Sequence, residues 1–207
     1  NQWTTEEEYL LWCKLWTEEC FRVLKPNRCF YVWGTTKTDT FLKYKLNTLN
    51  NIDDAVYQNW IVWSYDWGGR TRKTFPRKHE DLLMYSKGKD FLFNADDIRV
   101  PYSMKKNVRA GAVNNPKGKI PTDVWTKNNH TTSKEYVSWH PTQKPLELLE
   151  RIIQANTNEG DIVLDCFSGS GSTMIAAEKT NRKFIGSEID KSYCKKSIER
   201  MTKLITV

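Results

Sequence analysis

The chain has 207 residues, 39% of them apolar, which is enough for one α/β domain with a buried core, and no apolar run approaches the ~18 residues of a membrane span. The acidic opening from Asn1 to Leu10 is unlike a secretory signal, so a cytoplasmic protein is expected; five cysteines without a C-x-x-C pair, and His79, His130 and His140 without zinc spacing, predict free thiols and no structural metal. The net charge of +7 is unevenly placed: Trp67 to Lys144 holds 16 Lys and Arg against 7 Asp and Glu while the rest holds 16 against 18, a pattern that suits either a phosphate-backbone contact or a solvated lysine-rich face.

Thr5-Glu-Glu-Glu8 reads as a capping box, and Tyr9, Trp12, Cys13, Trp16, Cys20, Phe21 and Leu24 then recur at helical spacing up to Lys25-Pro26-Asn27. Cys29 to Trp33 is a short apolar run of β-forming residues, followed by a helix capped by Thr38 or Asp39 and running to about Leu49. Trp60 to Tyr65 and Asp81 to Tyr85 are strand candidates joined by a basic, glycine-containing connection that should be mobile, and Phe91 to Phe93 is expected to pair back onto Asp81 to Tyr85. From Asn94 to Ser138 periodicity fades. Pro145 then opens a helix with Leu146, Leu149, Ile152 and Ile153 on one face, ended by Gly160. Asp161 to Cys166 reads as a buried strand, Ser172 to Lys179 as a helix and Lys183 to Ile189 as a strand. Asp190 caps a last helix carrying Tyr193, Cys194, Ile198, Met201 and Ile205. This βαβα order implies parallel strands.

The chemistry-bearing segment is Asp165-Cys-Phe-Ser-Gly-Ser-Gly-Ser-Thr173, where glycines between a strand and a helix let the backbone approach a ligand. A dinucleotide fingerprint needs a third glycine that is absent after Gly169 and Gly171, which disfavours NAD. Asp165 at the strand end suits an ammonium group and would repel a pyrophosphate. Glu188, at the end of the next strand, is placed to accept ribose hydroxyls, so the two acids together fit S-adenosylmethionine.

Trp139-His-Pro-Thr-Gln-Lys-Pro-Leu-Glu-Leu-Leu-Glu150 directly precedes Asp-x-Phe-x-Gly-Ser-Gly, and that combination resembles the S-adenosylmethionine-dependent DNA amino-methyltransferases of the permuted beta arrangement. Phe91 to Tyr102 and Val124-Trp125 extend the resemblance over almost the whole chain. The resemblance implies a Rossmann-like α/β methyltransferase sheet, mostly parallel with an antiparallel hairpin. It divides the chain into a catalytic-side part at 1–66, a basic loop and target-recognition region at 67–138, and a cofactor-binding part at 139–207. It implies that His140, Thr142, Gln143 and Lys144 approach the methionine end of the cofactor, that Asp165, Phe167, Gly169, Ser170, Gly171 and Ser172 form its main loop, and that Glu188 takes the ribose. For His140 alone, a turn histidine before Pro141 is the competing reading. Arg70, Arg72, Lys73, Arg77 and Lys78 are the first candidates for DNA contacts, to phosphates or to guanine edges; a solvated basic side chain is the alternative for each.

The family's Asp-Pro-Pro-Tyr or Ser-Pro-Pro-Tyr tetrapeptide is absent, since the chain has no Pro-Pro, so no catalytic residue is assigned and an upstream segment with one or two further strands is expected before Asn1. Duplex DNA, that upstream segment and a second copy of the chain are the partners this reading allows. The resemblance implies transfer of a methyl group to the exocyclic amine of adenine in a restriction-modification setting. Cytosine-N4 transfer and a catalytically dead DNA-binding subunit are alternatives, and a small-molecule methyltransferase is disfavoured by the basic middle segment.

Overall fold

The computed structural model describes residues 3–34, 38–102, 114–127 and 133–205; His130 lies outside the described residues. Thr5 starts the first helix, α1 (Glu6–Val23), through the expected capping box: its hydroxyl accepts from the Glu8 amide at 3.2 Å and the Glu8 carboxylate accepts from the Thr5 amide at 3.4 Å. At the other end the Lys87 ammonium donates to the Phe21 and Leu24 carbonyls at 2.6 and 2.9 Å, where the helix dipole favours a cation. Two compact units follow from the packing, one of residues 1–92 with 122–128 and one of residues 93–121 with 129–207.

In the first unit β1 (Cys29–Trp33), β2 (Ala55–Ser64), β3 (His79–Lys87) and β4 (Val124–Thr126) form a sheet in the order β1-β3-β2-β4. β3 is antiparallel to β1 and to β2, whereas β4 runs parallel to β2. Helix α2 (Thr38–Asn47) and a 3-10 turn at Leu49–Asn51 pack with α1 over a core of Cys13, Phe21, Phe41, Tyr44, Leu49, Leu83 and Tyr85. Thr17 ties the helices together: its hydroxyl donates to the Cys13 carbonyl at 2.6 Å and lies 2.6 Å from the Tyr44 hydroxyl. Burial raises the Tyr44 phenol above its ordinary range, so it stays a neutral hydrogen-bonding group.

Two expectations change here. The β2–β3 hairpin is longer than the strands read at 60–65 and 81–85, because a register shift between Tyr57 and Asn59 breaks the alternation that would have marked its start. The expected pairing of Phe91 to Phe93 onto β3 does not form. β3 is the central strand, with β1 on one edge and β2 on the other, so no edge is left to pair with; instead the Leu92 amide donates to the Asn27 carbonyl at 3.2 Å.

The second unit opens with a 3-10 turn at Ala95–Ile98 and an isolated bridge between Val100 and Lys119, structure that the faded periodicity did not announce. Asn94 fixes the turn to the end of α3 (Leu146–Asn156): its side-chain amide donates to the Gln154 and Thr157 carbonyls at 3.1 and 2.8 Å. Next come β5 (Ile162–Asp165), α4 (Ser172–Lys179), β6 (Lys183–Gly186) and α5 (Lys191–Ile205), with β5 and β6 parallel. Among the described strands two pairings are parallel and two antiparallel, a more even mixture than the mostly parallel sheet expected.

Leu149, Ile153, Ala176 and Ala177 form the helix side of this core and Val163 and Phe184 the sheet side. Only alternate residues of a strand can face those helices, so Ile162 and Leu164 are 55% and 47% exposed, against the buried strand expected over 161–166. On α5 the expected face holds only in part, at the half-buried Tyr193 and Met201. Ser197 and Arg200 are buried, while Cys194 and Ile198 are exposed.

Candidate functional site

The loop between β5 and α4 is built from two left-handed glycines and a carboxylate. Gly169 and Gly171 have φ of 48° and 74°, a region that costs other residues about 1–2 kcal/mol. Space restricts both positions further. A Cβ on Gly169 would lie 2.6 Å from His140 Nε2, and one on Gly171 would lie 2.7 Å from the Ser197 Cβ. The Gly171 amide donates to the Ser168 carbonyl at 2.7 Å, closing the turn that delivers the chain into α4.

The acids expected here come together around that loop. Glu188 bridges it to the next turn: one carboxylate oxygen accepts from the Gly169 amide at 2.7 Å and the other from the Asp190 amide at 2.9 Å. Asp165 accepts from the Phe167 amide at 3.0 Å, and Phe167 itself is 52% exposed. Asp190 caps α5 as expected, accepting from the Ser192 and Tyr193 amides at 2.7 and 3.1 Å.

The His-Pro-Thr-Gln-Lys segment divides into residues that meet the loop and residues that do not. His140 packs against Gly169 and the Tyr193 ring, with ring centroids 5.0 Å apart in the latter contact. Its Nδ1 is buried without a hydrogen-bond partner among the described residues. Burial first, then the positive charges of Lys144 and Arg200, lower its pKa against the opposing pull of Glu188, so the ring is neutral at pH 7. Gln143 is buried and turned the other way: its amide donates to the Glu135 carbonyl at 2.7 Å and its oxygen accepts from the Val137 amide at 2.9 Å. Lys144 donates to the Thr142 carbonyl at 3.0 Å, and Thr142 is exposed.

Two residues that the sequence reading passed over complete the arrangement. Glu135 accepts at Oε2 from the Leu146 amide at 2.9 Å, capping α3 from outside the helix. Arg200 reaches from α5 to the Ser170 and Glu135 carbonyls and the Ser172 hydroxyl, at 2.8, 2.9 and 3.0 Å. Tyr193, Ser197 and Arg200 recur at the i, i+4, i+7 spacing of one helix face, and that stripe is the signal that would have placed an arginine inward.

In the first unit the basic loop has a tied neck. The Tyr65 amide donates to the Lys78 carbonyl at 3.0 Å, and the Lys78 ammonium donates to the Trp67 and Gly68 carbonyls at 2.8 and 3.1 Å. Arg77 pairs at 2.8 Å with the buried Asp81, whose other oxygen accepts from the Trp60 indole at 2.9 Å. Arg77 and Lys78 are therefore committed to the neck, whereas Arg70, Arg72 and Lys73 are exposed beyond it with Phe75. Rings of Trp63, Tyr65 and Trp67 step outward at centroid spacings of 5.2 and 4.8 Å, carrying the aromatic packing from the sheet to the base of the loop. Among the described residues no helix is long and apolar enough to cross a membrane.

A family model described as DNA methylase, of the N6/N4 methyltransferase type, matches residues 1–199. The Type II methyltransferase M.HpaI of Haemophilus parainfluenzae is 40% identical over 94% of this chain and 60% of its own length. M.BglII, a Type II methyltransferase of Bacillus subtilis, is 37% identical over 90% of this chain and 55% of its length. The DNA adenine methyltransferase YhdJ of Escherichia coli K12 is 34% identical over 95% of this chain and 68% of its own length. The chain thus spans a little over half the length of the first two relatives. Among solved structures, the M1.HpyAVI-SAM complex aligns with a TM-score of 0.63 at 25% identity, covering 95% of this chain and 83% of that one. The cytosine-N4-specific PvuII DNA methyltransferase aligns with a TM-score of 0.75 over 94% and 71% of the two chains; at 18% identity it bears on the fold alone.

Proposed function

Because the chain belongs to the N6/N4 DNA methylase family, we propose that it serves a site-specific DNA methyltransferase that moves the methyl group of S-adenosylmethionine to the exocyclic amine of adenine in duplex DNA, as the modification arm of a restriction system. The observation that carries this reading is the loop at 165–172, shaped by Gly169 and Gly171, braced by Glu188 and abutted by His140.

These residues fit an amino-acid-bearing nucleoside. The strand-end carboxylate of Asp165 suits its ammonium group, and the first turn of α4 suits its carboxylate. The buried His140 Nδ1 offers a polar atom still to be satisfied. Glu188 already holds two backbone amides, yet each carboxylate oxygen has a second lone pair for a ribose hydroxyl. The exposed ring of Phe167 provides an apolar face beside the loop. When bound, S-adenosylmethionine supplies an electrophilic methyl group on a sulfonium centre. The part of this chain is to hold the cofactor that carries that group.

Arg70, Arg72 and Lys73 are proposed to contact DNA phosphates or guanine edges from beyond the tied neck, with Arg77 and Lys78 shaping the loop that presents them. Adenine is favoured over cytosine by the similarity to YhdJ, a DNA adenine methyltransferase. The test is transfer of labelled methyl from S-adenosylmethionine to unmethylated genomic DNA, followed by nucleoside analysis. N6-methyladenine is the expected product. N4-methylcytosine would replace the base assignment, and absence of label despite cofactor and DNA binding would favour a non-catalytic DNA-binding subunit.

A further inference from the structure

Arg200 lies outside every motif, is 7% exposed, and makes three bonds that converge on the cofactor loop and the segment before Trp139. Its bonded acceptors, the Ser170 and Glu135 carbonyls and the Ser172 hydroxyl, are all neutral. Its Nε is buried without a partner among the described residues. The Glu135 carboxylate offsets part of the charge, but burial outweighs it and lowers the Arg200 pKa; a methionine of similar length would fill the space more cheaply, so packing alone gives no reason for the guanidinium. A planar fork can do what an apolar chain cannot, namely fix several acceptors at once.

The acceptors show what is being fixed. Ser170 and Ser172 flank the left-handed Gly171 at the entrance to α4, the end of the helix that favours an anionic group. The Glu135 carbonyl is also held by Gln143, and the Glu135 carboxylate caps α3, so Arg200 joins the loop to a rigid hub. We propose that Arg200 is a positioning residue that locks the 170–172 stretch in its ligand-ready shape, and so sets affinity for the amino-acid end of S-adenosylmethionine. This rests on the cofactor reading given above.

The test is calorimetric binding of S-adenosylhomocysteine and, by competition, of 5′-methylthioadenosine, which keeps the adenosine and thioether but lacks the amino acid. Arg200→Met should weaken S-adenosylhomocysteine at least tenfold and methylthioadenosine less than twofold. Arg200→Lys, which keeps the charge but not the fork, should follow the same pattern, as should Ser172→Ala more mildly, so the inference stays testable if the methionine variant does not fold. In methylation assays KM for S-adenosylmethionine should rise while kcat stays within twofold. Equal losses for both ligands, or no loss, would overturn the positioning role. Absence of S-adenosylhomocysteine binding by the unsubstituted protein would instead overturn the proposed function, and this inference with it.

Discussion

Gly171→Ala is the sharpest probe of the loop geometry, because two separable costs meet at one Cβ. At φ of 74° an alanine costs about 1–2 kcal/mol in backbone strain. Its Cβ would also sit 2.7 Å from the Ser197 Cβ and 3.4 Å from the Ser197 Cα. That pressure falls on the body of α5 and not on the end of a flexible chain, so an overpacking cost of about 1–3 kcal/mol is expected. The sum, about 2–5 kcal/mol, is a large share of typical domain stability and should lower the unfolding midpoint by about 5–20 °C at this chain length. Ser197→Gly removes the clashing atom and leaves the strain, at its own cost of about 1 kcal/mol from helix propensity and the hydrogen bond to the Cys194 carbonyl. Thermal and urea unfolding of the two single variants and the double variant should therefore show a favourable coupling of about 1–3 kcal/mol. Additivity within about 0.5 kcal/mol would show that the contact is not tight and would refute the reasoning.

The two kinds of arginine in the basic loop should separate cleanly: Arg77→Ala removes the cation from the buried Asp81 carboxylate, which keeps its bond from the Trp60 indole on the other oxygen, and should cost about 1–3 kcal/mol of stability in urea unfolding. Arg70→Ala should leave stability unchanged and reduce the salt dependence of DNA affinity by about one unit of slope; the reverse pattern would reassign both residues. His140 has a folded pKa below its ordinary value of 6.5, so the unfolded chain binds the extra proton first as pH falls. Its contribution is full above pH 6.5 and is lost as pH falls through the folded value, so stability should rise from pH 5 to 7 and His140→Gln should flatten that slope. Burial pushes the Cys29 thiol up to about 12, whereas Cys194 is exposed, so a thiol reagent at pH 8 should label Cys194 and spare Cys29 until the protein is unfolded.

Much of the second unit was legible because its signals are local. Asp161 to Ile189 reads as strand, glycine turn, helix and strand, and the structure has β5, the loop, α4 and β6 there, with β6 ending at Gly186. Thr5 and Asp190 cap their helices with bonds to amides no more than three residues away, a distance over which sequence alone specifies geometry. The Tyr57–Asn59 register shift hid the start of β2, since an extra residue inverts the alternation on which strand reading depends. Gln143 is a different case: nothing in its motif distinguishes an amide that faces a ligand from one that holds residues 135–137.

The sequence by itself determined the caps, the glycine turn with its two acids, and the concentration of cations between Trp67 and Lys144. Each depends on residue type and short-range backbone chemistry. Only the tertiary structure decided that β3 is central, leaving Phe91 to Phe93 no strand to join, and that Arg77 and Lys78 tie the loop while Arg70, Arg72 and Lys73 stand beyond it. For Arg200 the stripe with Tyr193 and Ser197 marks an inward face, but only packing decided that its guanidinium reaches the Ser170 and Glu135 carbonyls. The physical reason is common to all three. A sheet edge or a long polar side chain takes whichever partner packing leaves unsatisfied, and that partner is set by residues distant in the chain.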